Sequence, residues 1–169
     1  NAKRSLLFSL VQLNALVRKE KPTLIVSFLV RANVANAITT LFQNHSAVLC
    51  ERMHLTSHLD NQFTGWMRTV AGAIPRISYS RASAVLGVSR GVTKDLVEHF
   101  HVSPSKAHTI YNPYNIDDIR AASKETPSIS LPSRFIVSAG RLTEAKNFKH
   151  LINAYLNSSE RDPLCILGE

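Results

Sequence analysis

The chain alternates between short apolar runs and longer segments with helical periodicity, and this alternation constrains its fold more than any other feature. The apolar runs, rich in β-branched residues, lie at positions 23–28, 47–50, 84–88, 108–111, 134–139 and 163–167. Apolar residues at helical spacing occupy positions 5–20, 33–42, 63–79, 89–100, 116–122 and 147–156. Strands that alternate with helices form β-α-β units with parallel pairing. The sequence therefore predicts an α/β protein with parallel sheets, in which 23–28 is a buried strand.

Local signals refine this assignment. Pro75 is expected to interrupt or bend its helix, and Ser89 is a candidate N-cap for the helix that ends near Phe100. Asn33 either faces a ligand or caps the helix that begins there. Residues 51–60 are polar and lack periodicity, so they are expected to form a loop at the carboxyl end of a strand.

The amino-acid composition limits the kinds of partner and the cellular location that suit this chain. The 169 residues carry a net charge of +8, with the cations spread along the chain, which suits nucleotide phosphates or an anionic membrane face and does not indicate a nucleic-acid tail. No apolar run approaches the ~20 residues of a membrane span. Cys50 and Cys165 lie far apart in apolar runs, a pattern typical of structural thiols in a reducing compartment. We therefore expect a cytoplasmic location, with peripheral contact to the inner face of the cell membrane.

The richest Ser and Pro content lies at 123–133, which predicts an interdomain linker. This assignment divides the chain into a partial N-terminal domain (1–122), the linker, and the start of a C-terminal domain (134–169).

A glycine followed by two cations stands where the strand 134–139 gives way to a helical pattern. Gly140 allows close approach of the backbone to a ligand, and Arg141 and Lys146 supply a planar fork and a point charge. A helix N-terminus at the carboxyl end of a parallel strand favours anions. The spacing predicts a diphosphate site, and solvated cations in an ordinary turn are the alternative.

Further polar residues follow other strands. Arg52 is a candidate for binding a phosphate, His54 for hydrogen bonding to sugar hydroxyls, and Asn112 for shaping a turn at the rim of a cleft. For Arg52 and His54, a solvated loop residue is the alternative. His54 and His58 have the i, i+4 spacing of metal ligands, but no H-E-x-x-H pattern surrounds them, so we expect no metal.

Three ordered segments resemble one known family. SAGRLTEAKNFKHLINAY resembles the opening of the nucleotide-sugar domain of the "group 1" retaining glycosyltransferases, which have the GT-B fold. AVLGVSRGVTKDLVEHFHVSPSKAHTIYNPYNIDDI resembles the end of that family's first domain. VSFLVRANVANAITT and the following AVLCERMHLTSHL resemble members that build surface polysaccharides, although Cys50 and Met53 depart from the Ser-Glu-Arg-Asn string common there.

The resemblance implies two Rossmann-like pieces of a GT-B enzyme, incomplete at both ends. It also implies transfer of a sugar from a nucleoside diphosphate sugar to a saccharide or lipid-linked acceptor, with Arg141 and Lys146 replacing a metal and no cofactor. The family's E-x7-E pair does not occur in these residues, so we expect the fragment to be inactive alone. A non-enzymatic α/β nucleotide- or nucleic-acid-binding module is the alternative.

Overall fold

The computed structural model describes residues 6–127 and 129–169, and these divide into two compact units, one up to residue 114 and one from residue 115. The first unit contains α1 (Leu6–Glu20), β1 (Leu24–Phe28), α2 (Val30–Thr39), β2 (Ser46–Glu51), α3 (Leu55–Gln62), α4 (Gly65–Tyr79), β3 (Ala84–Gly87), α5 (Arg90–Phe100) and β4 (Ala107–Thr109). The second contains α6 (Ile116–Ala122), β5 (Ile136–Ala139), a 3₁₀ turn (Glu144–Lys146), α7 (Phe148–Leu156) and β6 (Leu164–Leu167).

Both sheets are parallel throughout, which confirms the predicted fold class. The first sheet has the order β1-β2-β3-β4, and the second pairs β5 with β6. In the first sheet Val26 lies opposite Val48, and Val48 lies opposite Ala84. The carboxyl ends of the four strands therefore meet at one edge, where the residues that follow each strand come together.

The core of the first unit forms where α2 and α5 pack on the sheet, with α3 and α4 packed against these helices. Its largest fully buried side chains include Tyr79, Phe100, Leu49, Leu55 and Leu96. In the second unit Tyr155 of α7 donates from its hydroxyl to the carbonyl of Asp162, which ties the helix to the chain entering β6.

Three local expectations were wrong. β1 is an edge strand, and Leu24, Val26 and Phe28 are exposed because no further strand or helix covers that face in the described structure. α2 begins at Val30, so Asn33 lies inside the helix, fully buried, and does not cap it.

The expected loop 51–60 is instead half helical, because Leu55 and Leu59 are buried at i, i+4 spacing on the inner face of α3. At Pro75 the expectation left two alternatives: α4 is not interrupted there, and a bend stays a prediction. Ser89, in contrast, confirms its prediction: its Oγ accepts a hydrogen bond of 3.3 Å from the backbone nitrogen of Val92.

Candidate functional site

A pocket of about 420 Å³ lies along the carboxyl ends of β1 to β4 and brings two of the predicted residues together. Arg52, which follows β2, and Asn112, which follows β4, both line it. Phe28, Cys50 and Tyr111 add apolar and aromatic surface. A cation beside an aromatic and an amide is suited to a ligand that has both a charged and a ring-like part. The roles predicted for Arg52 and Asn112 stay predictions.

His54 does not line this pocket. It is the N-cap of α3, and its Nδ1 lies 3.1 Å from the Ser57 hydroxyl and accepts from the Ser57 backbone nitrogen at 3.4 Å. Its Nε2 lies 3.5 Å from Oδ1 of Asp95, a buried carboxylate that also accepts from the backbone and hydroxyl of Thr56. Both ring nitrogens thus already face protein groups, while the side chain remains half exposed. The sugar contact expected of His54 stays a prediction.

Glu51 is a residue of this edge to which sequence reasoning assigned no role. Its carboxyl group is completely buried, and Oε1 accepts from Asn33 Nδ2 at 2.8 Å and from the Tyr79 hydroxyl. Oε2 has no hydrogen-bond partner among the residues that the structure describes. Burial raises the pKa of Glu51 above its ordinary value, and the nearby Asp95 adds to this, while the hydrogen bonds from Tyr79 and Asn33 act in the opposite direction.

Glu51 also stands in the wall of a second pocket of about 450 Å³. The wall is mostly apolar and is formed from the end of β1, α2, α3 and α4, with Leu29, Met53, Phe63 and Ile74 among its members. The only sequence signal for Glu51 was a charged residue at the end of an apolar run, and that pattern does not distinguish a buried carboxyl group from a solvated one.

In the second unit the predicted diphosphate residues lie together after β5. Gly140 donates its backbone hydrogen bond to the Leu167 carbonyl at 2.9 Å, and Lys146 passes over it: a Cβ built on Gly140 would lie 3.7 Å from Lys146 Cγ. Arg141 and Lys146 are both exposed, and neither forms an ion pair with any residue that the structure describes. Their charges are therefore available to an anion.

The helix after this loop begins beyond the two cations, where the sequence pattern predicts it. Lys146 ends the 3₁₀ turn, and Asn147 adopts a left-handed conformation (φ 51°, ψ 40°) before α7 begins at Phe148. Gly168 was not predicted as important, yet a Cβ there would lie 2.2 Å from the Gly140 carbonyl oxygen. The carboxyl ends of β5 and β6 thus meet at two glycines, and Gly168 is the one that the packing requires.

No group of three or more metal-ligating side chains occurs within residues 6–127 and 129–169. No helix in the same ranges has the length and apolar character needed to cross a bilayer. Cys50 is buried and Cys165 half-buried, and both are free thiols.

Comparisons with known proteins agree with this architecture. Residues 2–118 match the profile of the family described as Glycosyltransferase Family 4. A Campylobacter jejuni protein, the N-acetylgalactosamine-N,N'-diacetylbacillosaminyl-diphospho-undecaprenol 4-alpha-N-acetylgalactosaminyltransferase, is 31% identical over 144 residues, covering 84% of this chain and 38% of that protein. The crystal structure of Anabaena HepE in complex with UDP is similar in fold, with a TM-score of 0.59 and 16% identity. That match covers 93% of this chain and 42% of the HepE chain, so this chain spans less than half the length of either protein.

Proposed function

Because the chain belongs to Glycosyltransferase Family 4, we propose that it is part of an enzyme that transfers a sugar from a nucleoside diphosphate sugar to a saccharide or lipid-linked acceptor. The observation that carries the proposal is the second unit's pair of unpaired, exposed cations, Arg141 and Lys146, beside Gly140 at the end of a parallel strand. Breaking the bond between sugar and diphosphate develops negative charge on the leaving group. Preorganised cations stabilise that charge.

The two units have different parts in this proposal. The second unit binds the donor's diphosphate through Arg141, Lys146 and the backbone at Gly140. The first unit, with Arg52 and Asn112 in one pocket and His54 on the next helix, contributes to binding of the acceptor or of the donor sugar. In the same proposal residues 1–122 belong to the acceptor-side domain, 123–133 form the linker, and 134–169 begin the nucleotide-sugar domain.

The lipid-linked acceptor rests on two supports. The similar Campylobacter protein has an undecaprenol-linked saccharide in its name, and this chain carries a net charge of +8, which favours an anionic diphosphate acceptor and an anionic membrane face. We therefore propose a cytoplasmic enzyme with peripheral membrane contact. Protein cations take the place of a metal, the anomeric configuration is retained, and the 169 residues alone are inactive.

The experiment is a transfer assay on a protein that contains this chain together with the rest of both domains. Radiolabelled uridine-diphosphate sugars and an undecaprenyl-diphosphate saccharide are supplied, and the lipid fraction is separated and counted, with and without a chelator. Label should enter the lipid fraction in both conditions, and the anomeric proton of the product should show the donor's configuration by NMR. Absence of transfer from any of a panel of nucleotide sugars, with nucleotide binding also absent, would overturn the proposal.

A further inference from the structure

The 420 Å³ pocket has a floor that runs across the strands of the first sheet, and the register of the sheet fixes the order of its residues. Phe28 of β1 lies opposite Cys50 of β2, and Cys50 lies opposite Leu86 of β3. Residues paired in this way point to the same face of a sheet. From β1 to β4 the floor crosses three strand spacings, or about 14 Å. That length suits an elongated ligand lying across the strands.

The chemistry of this pocket changes in one direction along the floor. At the β1 end it is apolar, with Val26 and Phe28 49% and 55% exposed. After β2 comes the exposed guanidinium of Arg52, which forms no ion pair in the described part of the chain. At the far end, after β4, Tyr111 is 60% exposed and stands next to the half-buried amide of Asn112. The order is therefore apolar surface, cation, then aromatic ring with amide.

An amphiphile whose groups follow the same order is the ligand that matches this surface. A guanidinium binds a diphosphate through charge-assisted hydrogen bonds. An aromatic ring packs against the C–H face of a pyranose, and an amide exchanges hydrogen bonds with sugar hydroxyls. The exposed apolar surface at the β1 end gains free energy by covering hydrocarbon. A free nucleotide could stack on the aromatic ring, but it carries no hydrocarbon for the β1 end.

We propose that the acceptor lies across the first sheet in one direction, with its diphosphate on Arg52 and its first sugar on Tyr111 and Asn112. The first carbons of its lipid then lie on Val26 and Phe28. The inference rests on the proposed function and adds the orientation of the acceptor and roles for Tyr111 and Phe28. Because Tyr111 contacts the ring itself, it selects for a sugar that presents a face of C–H groups.

Three soluble acceptor analogues separate the parts of this surface, in a protein that contains this chain together with the rest of both domains. All three carry the saccharide that accepts label in the transfer assay. The first bears a diphosphate with an octyl chain, the second a diphosphate with a methyl group, and the third is the methyl glycoside without a diphosphate. The KM of each analogue is measured in the transfer assay, and its dissociation constant by calorimetry.

Tyr111→Ala should weaken all three analogues. We expect the KM of each to rise by about tenfold or more, because the sugar loses the apolar area that the ring covers. Tyr111→Phe keeps the ring and should stay within about threefold of the parent protein. Tyr114→Ala is the matched control: Tyr114 is 68% exposed, does not line the pocket, and should have little effect.

The other two variants should act on some analogues only. Arg52→Ala should raise the KM of both diphosphate analogues by about ten- to a hundredfold and leave the neutral glycoside within about twofold. Its control is Arg81→Ala, which removes an exposed cation just before β3, at the opposite edge of the sheet. Phe28→Ser should raise the KM of the octyl analogue alone, by about three- to tenfold. Circular dichroism shows whether each variant is folded.

Three patterns in folded variants would overturn the inference. Equal effects of Tyr111→Ala and Tyr114→Ala would remove the sugar from Tyr111. Equal losses of Arg52→Ala on charged and neutral analogues would remove the diphosphate from Arg52, and equal losses of Phe28→Ser on octyl and methyl analogues would reverse or abolish the orientation. In each case the parent protein still transfers the sugar, so the proposed function stands. Absence of both transfer and nucleotide binding would instead remove the two proposals together.

Discussion

Asn33, inside α2, donates a hydrogen bond of 2.8 Å from its side-chain nitrogen to Oε1 of Glu51, the last residue of β2. The same nitrogen donates to the Cys50 carbonyl at 3.0 Å, and Asn33 Oδ1 accepts from the Ser27 hydroxyl at 2.8 Å. Tyr79 at the end of α4 adds its hydroxyl to Glu51 Oε1. Four elements are thus joined by one buried polar network at the edge of the sheet that carries the candidate site.

Burial of the Glu51 carboxyl group makes stability depend on pH in a definite direction. Because burial raises the folded-state pKa of Glu51 above its ordinary value of 4.5, the folded state binds this proton more tightly than the unfolded state. The stabilisation is complete below the unfolded pKa and is lost as pH rises through the folded pKa. Glu51→Gln should remove this slope. Urea unfolding of both proteins from acidic to slightly alkaline pH tests it, and parallel pH profiles would contradict it.

Asn33→Ala should be strongly destabilising. The change removes three buried hydrogen bonds and leaves the Ser27 hydroxyl and Glu51 with fewer partners, which should cost about 2–4 kcal/mol of unfolding free energy. Asn157→Ala, at the exposed end of α7, removes one surface hydrogen bond and should cost less than about 0.5 kcal/mol. Equal denaturant midpoints for the two variants would show that the network contributes little.

The sequence predicted the secondary-structure elements better than the contacts between buried polar residues. The parallel strands and the N-cap of Ser89 were recoverable because periodicity and capping act within a few residues. The buried roles of Asn33 and Glu51 were not, because they depend on Ser27, Tyr79 and the Cys50 carbonyl, which are remote from them in sequence. α3 was missed because its N-cap is a histidine, and its stabilising contact with Asp95 lies 39 residues from Thr56. Gly140 could be singled out from its cationic neighbours, but the close contact at Gly168 is visible only once β5 and β6 pair.

Leu29 carries backbone strain between β1 and α2. Its φ of 72° and ψ of 151° lie in a region that is essentially restricted to glycine, and the residue stands at the rim of the 450 Å³ pocket. Leu29→Gly should relieve this strain. After the entropy cost of glycine is subtracted, the unfolding free energy should rise by about 1 kcal/mol. Leu29→Ala keeps the Cβ and should bring no such gain. Thermal or urea unfolding of Leu29→Gly and Leu29→Ala tests this prediction, and equal stability of the two variants would argue against strain at Leu29.

Two glycines near the turn from β3 into α5 should respond oppositely to alanine. A Cβ on Gly87 would lie 2.5 Å from Thr93 Oγ1 and 2.8 Å from the Thr93 backbone nitrogen, so Gly87→Ala should cost about 1–3 kcal/mol. A Cβ on Gly91 would meet no atom closer than Ser89 Oγ at 3.8 Å, and Gly91→Ala within α5 should gain about 0.5–1 kcal/mol. A Gly87→Ala protein as stable as Gly91→Ala would contradict the close packing of α5 on β3.

The proposed donor site predicts the sharpest effect. In the intact enzyme Arg141→Ala and Lys146→Ala should each reduce sugar transfer by about ten- to a hundredfold, because each removes a charge-assisted contact to the leaving diphosphate worth roughly 1.5–3 kcal/mol. Arg141→Lys should not restore full activity, since an ammonium group lacks the planar fork of a guanidinium.

Arg134→Ala is the matched control. Arg134 is an exposed cation just before β5, at the end of that strand opposite to Gly140, and it pairs with Asp162 at 3.0 Å. Its loss should leave transfer within about twofold, because exposed ion pairs contribute little. Donor-sugar kinetics with circular dichroism as the folding control measure all four, and near-normal turnover in folded Arg141→Ala and Lys146→Ala would remove these cations from the proposed mechanism.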